Sequence, residues 1–223
     1  MAAAVSLVDS EGLQALTMRR LAAVLGVEAM SLYHHLPGKQ GLLDGLAESV
    51  VEEIQAAVPR RRAWGWRTRI RARCLAAREV MLRHPWAPGL LSSRTAVPPG
   101  VFVYYDEVLA TLLDGGFSYR LAHRALHAFG TLLLGFTPEI FSPAARGGNL
   151  DVRRTEAELA AMAAAVPHLT AMVAAEMHDA DDPRLGWCDS QVELEFTLDL
   201  LLDGLARARA APRRRRPPGR GRP

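Results

Sequence analysis

The stretch that decides the fold is Leu16-Thr-Met-Arg-Arg-Leu-Ala-Ala-Val-Leu-Gly26-Val-Glu-Ala-Met-Ser-Leu-Tyr-His-His-Leu36-Pro-Gly-Lys39. Two short helical segments meet at Gly26. Thr17 stands where an N-cap belongs, with a hydroxyl able to accept from a free first-turn amide. Leu21, Ala22 and Leu25 are spaced as the inward stripe of the first segment. Ala22 is small enough for a second helix to cross close by. Gly26 supplies the backbone angle of a tight interhelical turn, and Val27 and Leu32 are placed to anchor the second segment. Ala22, Gly26 and Leu32 stand four and six residues apart, the spacing of a helix-turn-helix. The second helix is too short to stand alone, so it reads as an element presented by a scaffold, with Ala29, Met30, Ser31, Tyr33 and His34 outward. A helix presented in this way fits the DNA major groove. From spacing alone, a helical hairpin buried in an all-α core remains the alternative.

Working outward, the chain has 223 residues, room for one large domain or two modest ones. It is 49% hydrophobic and 23% charged, enough to build a core. Leu, Ala, Arg, Glu and Met dominate, all good helix formers, and strand-like alternation is nearly absent. Pattern and Gly/Pro punctuation predict helices over 2–11, 17–25, 28–35, 40–57, 64–84, 100–114, 118–136, 154–177 and 188–208, with a short one over 87–92. Pro167 should kink or split the segment that holds it. Phe102, Tyr105, Leu109 and Leu112 fall on one helical face, as do Val192, Phe196, Leu200 and Leu201. The expected fold is all-α. An N-terminal three-helix helix-turn-helix domain spans 1–46, and a helical ligand-binding and dimerisation domain spans 47–206. An Arg/Pro-rich tail, 207–223, is expected to be disordered because it cannot bury enough apolar surface to offset ordering entropy.

Net charge is a poor guide here. The chain carries +3, but residues 207–223 hold eight arginines and no acid, which leaves the first 206 at −5. Between 17 and 40 there are only three basic residues, Arg19, Arg20 and Lys39, against Glu28. The case for DNA therefore rests on position. Two cysteines, Cys74 and Cys188, exclude a disulfide framework or a four-cysteine zinc site. No apolar run is long enough to span a bilayer, and the N-terminus makes a poor signal peptide, so the expected location is the cytoplasm. A nucleophile elbow, a Gly-rich phosphate loop and a zinc-protease His-Glu-x-x-His are all missing from the sequence, so catalysis and a cofactor are not expected.

The stretch Asp9-Ser-Glu-Gly-Leu13, Leu16-Thr-Met-Arg-Arg-Leu-Ala22, Leu25-Gly-Val27, Ser31-Leu-Tyr-His-His-Leu36, Lys39 and Leu42-Leu43 resembles the DNA-binding domain of the TetR family of bacterial transcriptional regulators. Trp66, His84-Pro85, Gly116-Phe-Ser118, Leu134-Gly-Phe136 and Glu195-Phe196 with Leu201-Leu-Asp-Gly204 extend the likeness to the C-terminal domain of the tetracycline-repressor branch. The resemblance implies a homodimer that binds double-stranded operator DNA and a small-molecule effector. It implies that Arg19 reaches a base or phosphate, and that Thr17, Tyr33, His35 and Lys39 contact phosphate. Ala29, Met30 and Ser31 replace that branch's Gln-Pro-Thr, and His34 replaces its Trp. Alanine cannot make a bidentate contact to adenine and touches only a thymine methyl, so the operator should differ.

For the effector, the mix of aromatics with His and Thr makes Tyr105, His123 and His127 pocket candidates, although such residues also build plain core. His123 and His127 stand four apart, but no third ligand accompanies them, so no metal is expected. The branch holds a magnesium–tetracycline complex through a His, a Thr and a Glu, which in register are Ser92, Thr95 and Glu139. The His is gone, and Arg73 and Ala77 replace an Asn and a Phe around the drug. Tetracycline is thus a poor fit, and an inward Arg73 would suit an anionic or carbonyl-bearing ligand, whereas an outward one would be a plain surface residue. Leu126, Leu133, Val192, Phe196 and Leu200 are the expected dimer contacts. The resulting expectation is a repressor released from a palindromic operator by an inducer. An activator of the same fold, or a ligand-binding helical enzyme with a vestigial hairpin, are the alternatives.

Overall fold

The computed structural model describes residues 1–59, 61, 63–135, 161, 163–168, 170–171 and 190–211. The regular elements among them are helical. Helix α1 (Ala2–Glu11) turns Ala4, Leu7 and Val8 inward, one stripe at helical spacing. A 3₁₀ turn, Leu13–Ala15, follows. In α2 (Met18–Leu25), Thr17 is the N-cap, and its hydroxyl accepts from the Arg20 amide at 3.1 Å. The helix ends at Gly26, whose φ of 66° is left-handed. The Val27 amide donates to the Ala22 carbonyl at 3.1 Å and the Gly26 amide to that of Ala23 at 3.3 Å, the paired bonds of a Schellman ending. Helix α3 (Ala29–Tyr33) is shorter than the expected 28–35.

Two expected anchors sit elsewhere. Met18, Leu21 and Ala22 are the buried residues of α2, while Leu25 and Val27 are exposed. The left-handed turn swings the chain away just as the stripe leaves its neighbours, so the expected anchor Leu32 is joined by Leu36, not Val27, in holding α3 down.

Helix α4 (Gly38–Ala57) belongs to both halves of the molecule. Its Leu42, Leu46 and Ala47 enter a small N-terminal core with Leu7, Leu16 and Leu21. Its Val50 and Ile54 enter a larger core, so the boundary expected at 46/47 falls inside one continuous helix. The larger core is completed by α5 (Trp66–Arg83), α7 (Pro99–Asp114), α8 (Tyr119–Gly135) and α9 (Ser190–Ala210). Short α6 (Ala87–Ser93) bridges the two, placing Ala87 in the larger core and Leu90 in the smaller. Between α8 and α9, Val166 breaks the helical residues on either side of it, as the following Pro167 dictates. Most of the expected 154–177 helix, with Glu139 and Cys188, lies outside the described residues.

Four alternate arginines sort α5 into two charged faces. Arg67 pairs with Asp203 at 2.5 Å and Asp199 at 3.4 Å, and Arg71 pairs with Glu195 at 2.5 Å, all on α9. On the other face Arg69 pairs with Asp114 at 3.5 Å and Arg73 with Glu107 at 3.0 Å, both on α7. Arg73 therefore points inward, with only 13% of its side chain exposed. On α7 the buried residues are Val101, Val108, Thr111 and Leu112. Phe102 and Tyr105, expected on the same face as Leu112, project past the edge of the core and are exposed. On α9 the inward residues are Leu194, Leu198, Leu202 and Leu205, which leaves Val192, Phe196 and Leu200 at 54%, 61% and 55% exposure on another face. The helix also outruns the expected end of the body. Residues 207–210 are helical, and Arg209 donates to the Gly115 carbonyl at 2.6 Å while its guanidinium lies over Trp66.

Candidate nucleic-acid interface and effector cleft

The Thr17 cap and the Gly26 turn fix α2 against α3, and Leu32 and Leu36 seat α3 on the small core. What remains outside is one face. Thr17, Arg19, Ser31, His34, His35 and Lys39 are all exposed. Tyr33 is 51% and Met30 68% exposed, while Ala29 is half-buried at the first turn of α3. The neighbouring arginines of α2 have different environments. Arg20 donates to Glu11 through two nitrogens, at 2.5 and 3.2 Å, and this hydrogen bond holds the Glu11 carboxyl below its ordinary value. Arg19 makes no ion pair among the described residues, so it is the cation of α2 available to a partner. The exposed hydroxyls, Lys39 and the first turn of α4 suit phosphate oxygens. Helix α3 carries no Asn, Gln, Arg or Lys, so it offers none of the side chains that pair bidentately with a base edge.

The head is fastened to the rest by polar clasps. His84, buried between α5 and α6, bonds Asp9 of α1 at 2.7 Å through Nδ1 and Glu53 of α4 at 2.9 Å through Nε2. Both nitrogens can serve carboxylates as donors only in the imidazolium form. Burial favours the neutral ring, but the hydrogen bonds and charges of Asp9 and Glu53 outweigh it, and the His84 pKa lies above its ordinary value. The Trp86 indole donates to the same Asp9 oxygen at 2.7 Å, and Arg83 donates to Glu53 at 2.6 Å. Nearer the head, Arg94 pairs with Asp44 at 2.5 Å and the Gly100 amide donates to Glu48 at 2.9 Å.

A cleft of about 540 Å³ opens where the last turn of α4 meets α5 and α7. Gln55, Val58, Arg61, Arg69, Arg73 and Glu107 are among its walls. Cys74 lies beside Arg73 but is inert, since burial pushes its thiol up to about 12. Among the described residues no group of three His, Cys, Asp or Glu side chains is placed to hold a metal ion, and no helix is long and apolar enough to cross a membrane.

A family model described as "Tetracyclin repressor-like, C-terminal domain" matches residues 58–209, and one described as "Bacterial regulatory proteins, tetR family" matches residues 1–46. The chain belongs to the TetR family. A transcriptional regulator of the helix-turn-helix type from Saccharopolyspora erythraea is 37% identical over 115 residues, covering 52% of this chain and 48% of that one. The class E tetracycline repressor of Escherichia coli is 31% identical over 132 residues, covering 59% of this chain and 62% of that one. The match thus spans about half the length of the first of these relatives. The crystal structure of a possible TetR family transcriptional regulator from Streptomyces coelicolor A3(2) superposes with a TM-score of 0.71 at 31% identity, covering 93% of this chain and 97% of that one.

In this TetR-family chain the residues expected at the nucleic-acid face are exposed, apart from half-buried Ala29. The expected effector residues do not gather. Arg73 lines the cleft. Thr95 is exposed in the connection after α6, and Tyr105 is exposed on α7 with its ring edge-on to Tyr104. His123 and His127 are exposed on α8, their rings 4.6 Å apart. None of these four lines the cleft, because a 3.6-residue pattern reports a shared helical face without saying which neighbour covers it. Gln55, Arg61, Arg69 and Glu107 do line it and were missed. The available signal was the i, i+4 pair Arg69 and Arg73. Of the expected dimer contacts, Leu133 is buried in the larger core and Leu126 packs at its margin, because the inward face of α8 runs Ala122, Ala125, Phe129, Leu132, Leu133. Val192, Phe196 and Leu200 stay on the outside of α9.

Proposed function

We propose that this protein is a ligand-responsive, DNA-binding transcriptional regulator, a repressor that leaves its palindromic operator when a small molecule occupies the C-terminal half. The observation that carries the reading is the capped and Schellman-terminated hairpin that exposes Arg19, Met30, Tyr33, His35 and Lys39 on one face. Thr17, Tyr33, His35 and Lys39 grip phosphate, while Arg19 and the outer side of α3 read base edges. Two copies of the chain pair through a face that includes Phe196 and Leu200, too apolar to stay in water on a monomer. That places two α3 helices on successive turns of a palindrome. Helix α4 presents Lys39 at one end and Gln55 in the cleft at the other. A ligand that prefers one setting of α4 shifts the population of head positions, and it does so only to the extent of that preference. The protein works in the cytoplasm and catalyses nothing in this reading. Selecting bound DNA from a random pool should return a palindrome. Arg19→Ala and Tyr33→Ala should each weaken retardation of that DNA while gel filtration still shows the dimer. Undiminished retardation by both variants would refute the assignment.

A further inference from the structure

The sequence left the effector class open between an anion and a carbonyl compound. The cleft decides between them, given the reading above that the C-terminal half holds the effector. Three of its lining residues, Arg61, Arg69 and Arg73, are permanently cationic, and Glu107 is the one carboxylate among the described residues that line it. Concave walls with an excess of one charge sign concentrate the opposite charge. A neutral carbonyl needs a single donor, and a metal-loaded ligand would be repelled by the positive excess of the wall.

Arg73 adds a specific vacancy. Its Nη2 donates to Glu107 at 3.0 Å, and its guanidinium rests over the Tyr104 ring at 5.1 Å. Its Nη1 is buried with no hydrogen-bond partner among the described residues. A buried charged donor left unpaired is a standing cost that an incoming acceptor removes. Arg69 lies one turn before it on the same side of α5, held at 3.5 Å by Asp114, a carboxylate that is itself largely exposed. Val58, Pro59 and Ala110 supply apolar wall for a hydrocarbon body, and about 540 Å³ is the size of a small-molecule site.

We propose that the effector is an organic carboxylate with a flat apolar body, its carboxylate taken by Arg73 and Arg69 and its body lying along Val58, Pro59 and Ala110. Glu107, partly exposed, gives way to the incoming carboxylate and thereby loosens the tie between α5 and α7. Gln55, on the opposite wall, brings α4 into contact with the same ligand.

Calorimetric titration of the full-length chain with 2-naphthoate and with 2-naphthamide tests this, since the two probes share a body and differ in charge. Naphthoate should bind at least about tenfold more tightly than naphthamide, and salt should weaken the naphthoate alone. Arg73→Gln should erase the difference. Arg69→Gln, a change at a more exposed side chain, should narrow it and guards against misfolding of the first variant. Equal binding of the two probes, a preference that survives both substitutions, or binding of neither would overturn the proposal. Retardation of the selected DNA by the same preparation separates the two readings. If DNA is retained and no carboxylate preference exists, the effector class alone falls. If naphthoate is preferred and no DNA is retained, the regulator reading falls instead.

Discussion

The head and the C-terminal half of this molecule put their candidate sites in opposite places. In the head, a core of few side chains supports the proposed DNA-contacting residues, which span only the stretch from Thr17 to Lys39. In the other half there is a larger core, and the cleft lies where Gln55, Arg73 and Glu107, from three different helices, approach each other. The head is a local structure made to be touched, so its face follows from turn chemistry. The cleft is a by-product of how long helices cross, so its walls follow from packing. Helix α4 is the element both depend on.

The sharpest way to break that comparison is to remove one leucine from each core. Leu46 and Leu198 are both fully buried, and truncation to alanine should cost each core about 2–5 kcal/mol. Leu46→Ala should abolish operator retardation while most of the helical circular dichroism melts as before. Leu198→Ala should lower the melting of the whole chain. If Leu46→Ala melted the entire protein in one shifted step, the two halves would be a single cooperative unit joined through α4.

A smaller effect separates the two arginines of α2. Arg19→Ala should lower operator affinity by about 1–3 kcal/mol, roughly five- to 150-fold. Arg20→Ala should leave affinity within twofold in an electrophoretic or anisotropy titration, because Arg20 is already spoken for by Glu11. The reverse order would show that the Glu11 pair opens on DNA and that Arg20 is the reader.

The same contrast explains how much was legible in the sequence. Thr17, Gly26 and the Ala22–Gly26–Leu32 spacing encode their geometry locally, through a cap, a left-handed turn and a close crossing, so the hairpin could be read directly. Leu25 and Val27 were misplaced because the turn redirects the chain, an effect no periodicity records. In the effector half the helices could be read, but Tyr105, His123 and His127 were assigned to a pocket because of their chemistry alone. Which side of α7 and α8 is covered depends on partners many positions away. Arg73 was legible as a candidate only through the family register, and its inward direction came from Glu107 and Tyr104, which nothing in the local sequence of α5 announces.

The clasp at His84 ties the two halves, and its strength should depend on pH. Folding raises the His84 pKa, so its contribution is fully present below the unfolded value near 6.5 and fades as pH rises through the higher folded value. Burial opposes the Glu53 charge, but Arg83 and His84 hold its pKa below the ordinary value, so its contribution is present above about 4.5 and fades as pH falls through the lower folded value. The clasp is therefore tightest between those two limits. His84→Gln should lower the melting temperature of the head at pH 6, and the gap from the parent chain should shrink as pH rises toward 9. A gap independent of pH would mean that His84 acts as packing alone.

The smallest effect concerns the C-terminus, where the division between body and tail falls later than composition suggests. Arg209 belongs to the body, since it caps the Gly115 carbonyl and covers Trp66 and Phe117. Removing 212–223 takes away six arginines. It should leave the melting temperature unchanged and preserve the selected palindrome. Binding to random DNA at low salt should weaken, with the slope of log K against log salt falling by up to about 5. Arg209→Ala should do the opposite, costing about 0.5–1 kcal/mol of stability with little change in that slope. If the truncation instead altered operator choice, base reading would extend beyond the hairpin, and the division between a local reading head and a packed effector half would no longer hold.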